Sequence, residues 1–135
     1  MISILLVEDH AVFASVLARL LSKSEDIETV KIARTAERAL QELPLQAFDL
    51  VLVDVALPEM NGISLVAMLH EEYPDLPCLM LSGHALGHYV NRALKAGARG
   101  YVLKDNSREI FSSIEHVLRG EIYVSPELRD HHKLP

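Results

Sequence analysis

Residues 50–55 read Leu-Val-Leu-Val-Asp-Val, an apolar run interrupted only by Asp54 near its end. A strand that is apolar at nearly every position is buried on both faces, which is typical of a parallel sheet covered by helices. Four further runs of this kind occur at residues 2–7, 30–33, 78–81 and 101–103. Three of them are nearly continuous, whereas residues 29–32 alternate as an edge strand does. The sequence therefore predicts five strands in a mostly parallel sheet.

Segments with helical periodicity separate these strands. In each segment apolar residues recur at intervals of three and four positions, which predicts one buried helical face. The five predicted faces are Phe13, Val16, Leu17, Leu20 and Leu21; Ala36, Ala39, Leu40 and Leu43; Leu65, Val66, Met68 and Leu69; Tyr89, Val90, Ala93 and Leu94; and Ile110, Phe111, Ile114, Val117 and Leu118. Thr35 is a candidate N-cap, and Gly97 and Gly120 are candidate helix ends. The alternation predicts an open, doubly wound α/β sheet.

The composition fits one compact domain and excludes several classes of protein. The 135 residues are 50% hydrophobic and 24% charged, which excludes a disordered or low-complexity chain. A formal charge of -6 disfavours direct binding to nucleic acid. The single cysteine, Cys78, and the absence of a leader sequence favour a cytoplasmic location. No apolar run approaches the roughly 18 residues of a membrane span.

Polar residues follow four of the predicted strands. Glu8 and Asp9 follow the first, Asp54 ends the third, Ser82 follows the fourth and Lys104 follows the fifth. Individually each has an ordinary interpretation: Asp9 as a helix N-cap, Asp54 or Ser82 as a turn residue, Lys104 as a solvated charge. Because parallel strands end at one edge, we expect these residues to lie together. Crowded carboxylates favour a shared proton or a hard divalent cation, and the lysine and hydroxyl favour an anion.

Four motifs at these strand ends resemble the receiver domain of two-component response regulators. They are Leu6-Val7-Glu8-Asp9-His10, Val53-Asp54-Val55-Ala56-Leu57-Pro58-Glu59-Met60-Asn61-Gly62, Leu81-Ser82-Gly83 and Gly100-Tyr101-Val102-Leu103-Lys104. The resemblance extends to about Ser125. It implies a flavodoxin-like, doubly wound, five-stranded parallel sheet of order 2-1-3-4-5 with helices on both faces.

The resemblance also implies the chemistry of the site. Asp54 is expected to be the phosphoacceptor, forming a mixed anhydride with the phosphoryl group. Asp9 and Asp54 would bind Mg²⁺ or Mn²⁺ directly, with Glu8 acting through a water molecule and the backbone carbonyl of Ala56 as a further ligand. Lys104 would place a positive charge on the acyl phosphate. The expected role is that of a signalling phosphoacceptor, which catalyses only its own phosphorylation and dephosphorylation.

The same resemblance implies a switch and its partners. The hydroxyl of Ser82 would move to a phosphoryl oxygen while Tyr101 rotates, which reshapes the face made by the fourth helix, fifth strand and fifth helix. The expected phosphodonor is a cognate histidine kinase. A homodimer through the reshaped face is a further expectation, whereas no nucleic acid or membrane is expected to bind this chain by itself.

Several positions bear on how closely the chain follows the commonest pattern of the family. Glu8 replaces an aspartate, and Asp105 stands where many receivers have proline, so a cis peptide bond after Lys104 is in doubt. Ala56 and His84 lie two residues beyond the phosphoacceptor and the hydroxyl, where the family adjusts the access of water. We expect His84 to affect the lifetime of the acyl phosphate more than its formation.

The last segment resembles receivers that continue into a LuxR-type helix-turn-helix domain. We therefore predict a receiver domain at residues 1–120, and at residues 121–135 a tail or the start of a linker to an effector domain absent from this chain. The expected output is transcription, and the alternative is a stand-alone receiver acting by protein contact or phosphorelay. A phosphohydrolase would need an acid where Ala56 stands. A flavin-binding module would need a Ser/Thr/Gly-rich loop after the first strand.

Overall fold

The computed structural model describes residues 1–83 and 87–128, apart from the side chains of residues 87 and 88. Strands and helices alternate along the chain, as the sequence predicts. The elements are β1 (Ile2–Val7), α1 (Ala11–Ser22), β2 (Ile27–Ala33), α2 (Ala36–Glu42), β3 (Leu50–Asp54), α3 (Gly62–Glu72), β4 (Cys78–Ser82), α4 (Gly87–Ala96), β5 (Gly100–Leu103), α5 (Ser107–Leu118), β6 (Tyr123–Val124) and a short 3₁₀ helix (Pro126–Leu128).

The strands form one parallel sheet of order β2-β1-β3-β4-β5-β6. The predicted fold class and the order 2-1-3-4-5 are confirmed. The predicted number of five strands was too small, because β6 adds two residues beside β5. Gly100 pairs with Tyr123, and Tyr101 pairs with Val124. A two-residue strand is too short to produce a periodic signal in the sequence.

Helices cover both faces of the sheet, so its strands are buried on each side. Alternate residues of β1 and β3 point to opposite faces; Leu5 and Val53 belong to one core, and Leu6 and Leu52 to the other. The first core receives residues from α2, α3 and α4, and the second receives residues from α1 and α5. Each fully buried aliphatic side chain contributes about 1.5 to 3 kcal/mol relative to exposure. This double burial explains the continuous apolar runs.

Local capping sets several helix ends. The Thr35 hydroxyl accepts a hydrogen bond from the Arg38 amide, which confirms Thr35 as the N-cap of α2. The N-cap of α1 is His10 rather than Asp9, since the His10 ring accepts from the Phe13 amide. Positive φ angles of 116° at Gly97 and 88° at Gly120 follow α4 and α5, as predicted from their glycines.

The predicted helical faces were wrong at two positions. Val16 of α1 and Met68 of α3 are 48% and 41% exposed. The buried face of α1 instead includes Ala14, which the apolar pattern did not single out, with Leu17 and Leu21. The apolar residues of a helix can cover an arc wider than the part of its surface that contacts the sheet. Residues at the border of that arc then face solvent. Among the residues described, no helix is long and apolar enough to span a membrane.

The segment after α5 packs against the sheet. Ser125 and Leu128 are both fully buried. The Ser125 amide donates to the Tyr101 carbonyl at 3.0 Å, and the Leu103 amide donates to the Ser125 hydroxyl at 3.1 Å. We call residues 123–128 the C-terminal strap. The predicted tail at residues 121–135 thus begins with residues that extend the sheet, while residues 129–135 lie outside the part of the chain described.

Candidate functional site

The polar residues at the strand ends meet at one edge of the sheet. Asp54 is the last residue of β3, Ser82 is the last residue of β4, and Lys104 directly follows β5. The backbone amide of Lys104 donates to the Ser82 carbonyl at 2.9 Å, which joins two of these strand ends. Glu8 directly follows β1 and is fully buried. The predicted convergence of these side chains is therefore present in the structure.

Three carboxylates form the acidic part of the site. Oxygens of Glu8, Asp9 and Asp54 all lie within 4.8 Å of one another. Glu8 is 0% and Asp54 is 4% exposed, and Asp9 is partly buried. Carboxylate oxygens are the donors that Mg²⁺ and Mn²⁺ favour, so this donor set fits such an ion. No described contact tests the predicted contribution of the Ala56 carbonyl.

Lys104 provides the positive charge of the site. Its Nζ lies 2.6 Å from Glu8 Oε1 and 3.3 Å from Asp54 Oδ2. The same Nζ lies 4.8 Å from the centre of the Phe13 ring, close enough for a cation–π contact. Only 19% of the Lys104 side chain is exposed, so its interpretation as a solvated surface charge is wrong.

Burial dominates the ionisation of Glu8. Desolvation raises the pKa of its carboxyl group, and the nearby charge of Asp54 raises it further. The ion pair with Lys104 and the hydrogen bond from the His10 amide to Oε2, at 3.0 Å, oppose this rise in pKa. The site thus holds its carboxylates close together at an electrostatic cost that a bound cation would reduce.

Backbone contacts after β3 hold Asp54 in place. The Ala56 amide donates to Asp54 Oδ1 at 3.2 Å, and the Gly62 amide donates to the Val55 carbonyl at 2.8 Å. A Cβ atom on Gly62 would lie 2.1 Å from the Asp54 carbonyl oxygen, so only glycine fits there. Asn61 caps α3 by accepting from the Ile63 amide at 2.7 Å. The residues after the predicted phosphoacceptor therefore fix its orientation.

Ser82 and Tyr101, the predicted switch residues, are both buried, and Tyr101 is 0% exposed. Burial raises the pKa of Tyr101; the charges of Tyr89 and Asp54 raise it further, while the Ser82 hydroxyl lowers it. The Tyr101 hydroxyl has no hydrogen-bond partner of normal geometry among the residues described. The structure brings the two residues together, and their switching role stays a prediction.

A small cavity of about 180 Å³ opens beside Asp54. Its walls comprise Asp54, Val55, Ala56, Asn61, Ser82, Gly83 and Tyr89. The sequence did not indicate Asn61 or Tyr89 as parts of the site. Asn61 precedes a helix and could have been identified by its capping position, whereas Tyr89 resembled an ordinary core residue of α4.

Two predictions about departures from the family pattern have different outcomes. No cis peptide bond occurs among the residues described, so the bond between Lys104 and Asp105 is trans. His84 lies outside the described residues, so its predicted effect on the acyl phosphate remains a prediction.

A parallel sheet with an acidic cluster, a lysine and a hydroxyl at its carboxyl edge defines the receiver class of signalling domains. The chain belongs to the response regulator receiver domain family, whose model matches residues 4–115. It is therefore a signalling domain of the two-component type.

Relatives and solved structures agree with this assignment. The chain is 30% identical over 128 residues to the transcriptional regulatory protein DegU of Brevibacillus brevis, covering 94% of this chain and 54% of that protein. It is 32% identical over 133 residues to DesR of Bacillus subtilis, covering 96% and 65%. The chain thus spans about half to two thirds of these relatives. A two-component response regulator of the LuxR family from Aurantimonas sp. SI85-9A1 superposes with a TM-score of 0.91 at 26% identity, over 97% of this chain and 94% of that one.

Proposed function

We propose that Asp54 accepts a phosphoryl group from a histidine kinase and thereby switches the output of a response regulator. The observation that carries this proposal is the placement of the nearly buried Asp54 carboxylate, whose Oδ2 lies 3.3 Å from Lys104 Nζ. Burial limits the contact of the carboxylate with water, and the ammonium group offsets the charge of an approaching phosphoryl group.

The reaction consists of attack by an Asp54 oxygen on phosphorus. The new bond between the Asp54 oxygen and phosphorus creates an acyl phosphate. The bond from phosphorus to the donor breaks, and the donor leaves with the electron pair of that bond. The Ala56 amide holds Oδ1 at 3.2 Å, which fixes the carboxylate plane during this approach. Lys104 is positioned to pair its ammonium group with the negatively charged phosphoryl oxygens. In this scheme the residues act mainly by positioning and electrostatics.

A divalent cation is part of the proposal. Glu8, Asp9 and Asp54 would hold Mg²⁺ or Mn²⁺, with the Ala56 carbonyl as an additional ligand. The mutual distances of their oxygens support this assignment. When bound, the ion would supply positive charge to the phosphoryl oxygens and reduce the repulsion among the three carboxylates.

An apolar surface beside the site supports docking of a protein donor. Val12 of α1 is 70% exposed and Val16 is 48% exposed. A groove of about 250 Å³ runs between α1 and α5 to Lys104, lined in part by Phe13 and Leu20. Exposed apolar side chains next to a reactive centre are typical of a protein interface. We assign this surface to the histidine kinase.

The proposed output depends on Ser82 and Tyr101. Phosphorylation would draw the Ser82 hydroxyl toward the phosphoryl group and reposition Tyr101, which changes the face formed by α4, β5 and α5. This face could form a homodimer. Relatives bearing the names DegU and DesR are described as transcriptional regulatory proteins, which supports transcription as the output of a longer protein. Residues 129–135 would then continue as a linker from a receiver domain that includes the strap.

The phosphoryl group can be detected by mass. The chain is incubated with acetyl phosphate and Mg²⁺, and we expect one added phosphoryl group per molecule. Asp54→Asn should abolish the addition, while Asp75→Asn, at an exposed aspartate after α3, should retain it. Addition to the Asp54→Asn variant, or no addition to the parent chain, would refute the proposal.

The homodimer has a separate test. Sedimentation of the chain with and without beryllofluoride and Mg²⁺ should give a larger particle only with the phosphoryl analogue. An unchanged mass would favour the alternative of a receiver that acts on a different protein or in a phosphorelay.

A further inference from the structure

Tyr89 lies in the first turn of α4 and forms one wall of the cavity beside Asp54. The ring is partly buried, and the guanidinium carbon of Arg92 lies 5.6 Å from its centre. A cation at this distance favours a fixed position of the ring.

Two other residues that line this cavity, Ala56 and Gly83, are small. Ala56 has one methyl group, and a Cβ atom added to Gly83 would meet no atom of the described residues within 4 Å. Lys104, whose ammonium group lies 3.3 Å from Asp54 Oδ2, is not among the residues that line the cavity. Among the described residues that line this cavity together with Asp54, Tyr89 has the largest side chain.

We propose that the Tyr89 ring limits the access of water and of small acyl phosphates to Asp54. This inference rests on the proposed function, because it concerns the phosphorylated form of the same carboxylate. It assigns Tyr89 a positioning role, since its ring acts by occupying space and takes no part in bond formation.

The two reactions share one direction of approach. In phosphorylation by acetyl phosphate, an Asp54 oxygen attacks phosphorus and acetate leaves from the opposite side with the electron pair. In hydrolysis, a water oxygen attacks phosphorus from that same side. The bond from phosphorus to Asp54 then breaks, Asp54 returns as a carboxylate, and the proton of the water goes to the departing phosphate or to solvent. A ring that narrows this side slows both reactions.

The substitution that tests this is Tyr89→Ala, compared with Tyr89→Phe. We expect Tyr89→Ala to raise both the rate of phosphorylation by acetyl phosphate and the rate of hydrolysis by about fivefold or more, which corresponds to about 1 kcal/mol in each barrier. Tyr89→Phe keeps the ring and should stay within about twofold of the parent. Both rates are followed by intact mass, hydrolysis being measured after the donor is removed while Mg²⁺ is retained.

Tyr73→Ala is the matched control. Tyr73 is a partly buried tyrosine at the C-terminal end of α3, and it does not line the cavity. The rates of phosphorylation and hydrolysis in Tyr73→Ala should equal those of the parent. The stabilisation of each variant by Mg²⁺, measured by thermal unfolding, should also be unchanged, since Tyr89 is not among the acidic residues. A general loosening of the fold would alter this stabilisation together with the rates.

The outcomes separate the two proposals. A parent chain that takes up no phosphoryl group would overturn the proposed function and this inference together. A phosphorylated parent with unchanged rates in Tyr89→Ala would overturn this inference alone. Equal acceleration in Tyr89→Phe and Tyr89→Ala would also overturn it, because the ring would then not be the barrier.

Discussion

Replacing Lys104 by methionine tests how the buried acidic cluster is held together. The substitution keeps an unbranched side chain of similar length and removes the ammonium group. Lys104 Nζ lies 2.6 Å from Glu8 Oε1 and 3.3 Å from Asp54 Oδ2. At an effective dielectric constant of about 20, these distances correspond to gross attractions of about 6 and about 5 kcal/mol. Desolvation of the charges cancels a large part of this attraction.

The net loss in the free energy of unfolding depends on the carboxylates that stay buried after Lys104 is replaced. Removing one partner of a buried ion pair costs about 3 to 5 kcal/mol, because the other charge stays buried and uncompensated. Glu8 limits this cost, since its pKa is already raised by burial and the carboxyl group can take up a proton instead. We therefore expect Lys104→Met to lower the free energy of unfolding by about 3 kcal/mol at pH 8 without divalent ions.

Urea unfolding in the presence of a chelator measures this loss. With a slope of about 1.5 kcal/mol per molar urea, the midpoint should fall by about 2 M. Lys95→Met, at an exposed lysine of α4 that has no ion pair with any residue the structure describes, should change the stability by less than about 0.5 kcal/mol.

A second variant separates electrostatics from packing. In a Glu8→Gln background, the cost of Lys104→Met should fall to about half, because one of the two paired carboxylates is gone. A Lys104→Met variant within 1 kcal/mol of the parent, or an equal cost in both backgrounds, would refute the proposed role of the ammonium group.

Four further predictions concern other parts of the chain. Gly62→Ala should lower the free energy of unfolding by about 3 kcal/mol, because the added Cβ would lie 2.1 Å from the Asp54 carbonyl oxygen; normal stability in urea would contradict this close packing. Leu128→Ala should cost about 2 to 5 kcal/mol in the same assay, and a loss typical of a surface residue would mean that the strap is not packed in solution. Burial raises the pKa of the Cys78 thiol to about 12, so iodoacetamide at pH 8 should modify it only after unfolding. Because the folded state keeps this proton to a higher pH than the unfolded chain, the contribution of Cys78 to stability should decline as pH rises from about 9 toward 12, as urea titrations at pH 8.5 and 10.5 can verify.

The sheet and the acidic site were predictable because their signals are strong and local. Continuous apolar runs require burial on both faces, and the carboxyl ends of parallel strands meet at one edge, so Glu8, Asp54 and Lys104 could be brought together without coordinates. Tyr89 could not be assigned to the site, because its spacing in α4 is that of a core residue. Its position beside Asp54 depends on how α4 packs against α3 and β5, which the periodicity of a single helix does not specify.

Helix details depended on competition between neighbouring residues. Asp9 and His10 are both able to cap α1, and the choice of His10 follows from the position of Asp9 beside the other carboxylates. Val16 satisfies the helical period and is nevertheless exposed, because it lies at the border of the apolar arc of α1 and not on the part that faces the sheet. The strap was missed because Tyr123–Val124 has no periodic signal, and its position depends on pairing with β5.

The strap and β2 together determine how this sheet can meet other chains. An open sheet has two edges whose free amide and carbonyl groups can recruit a foreign strand and start aggregation. At one edge β6 is only two residues long, and the second residue after it is Pro126, which has no amide hydrogen to donate. At the other edge β2 exposes the charged residues Glu28 and Lys31. Neither edge is a good template for strand addition, so the chain can expose apolar groups on α1 to partners without polymerising through its backbone.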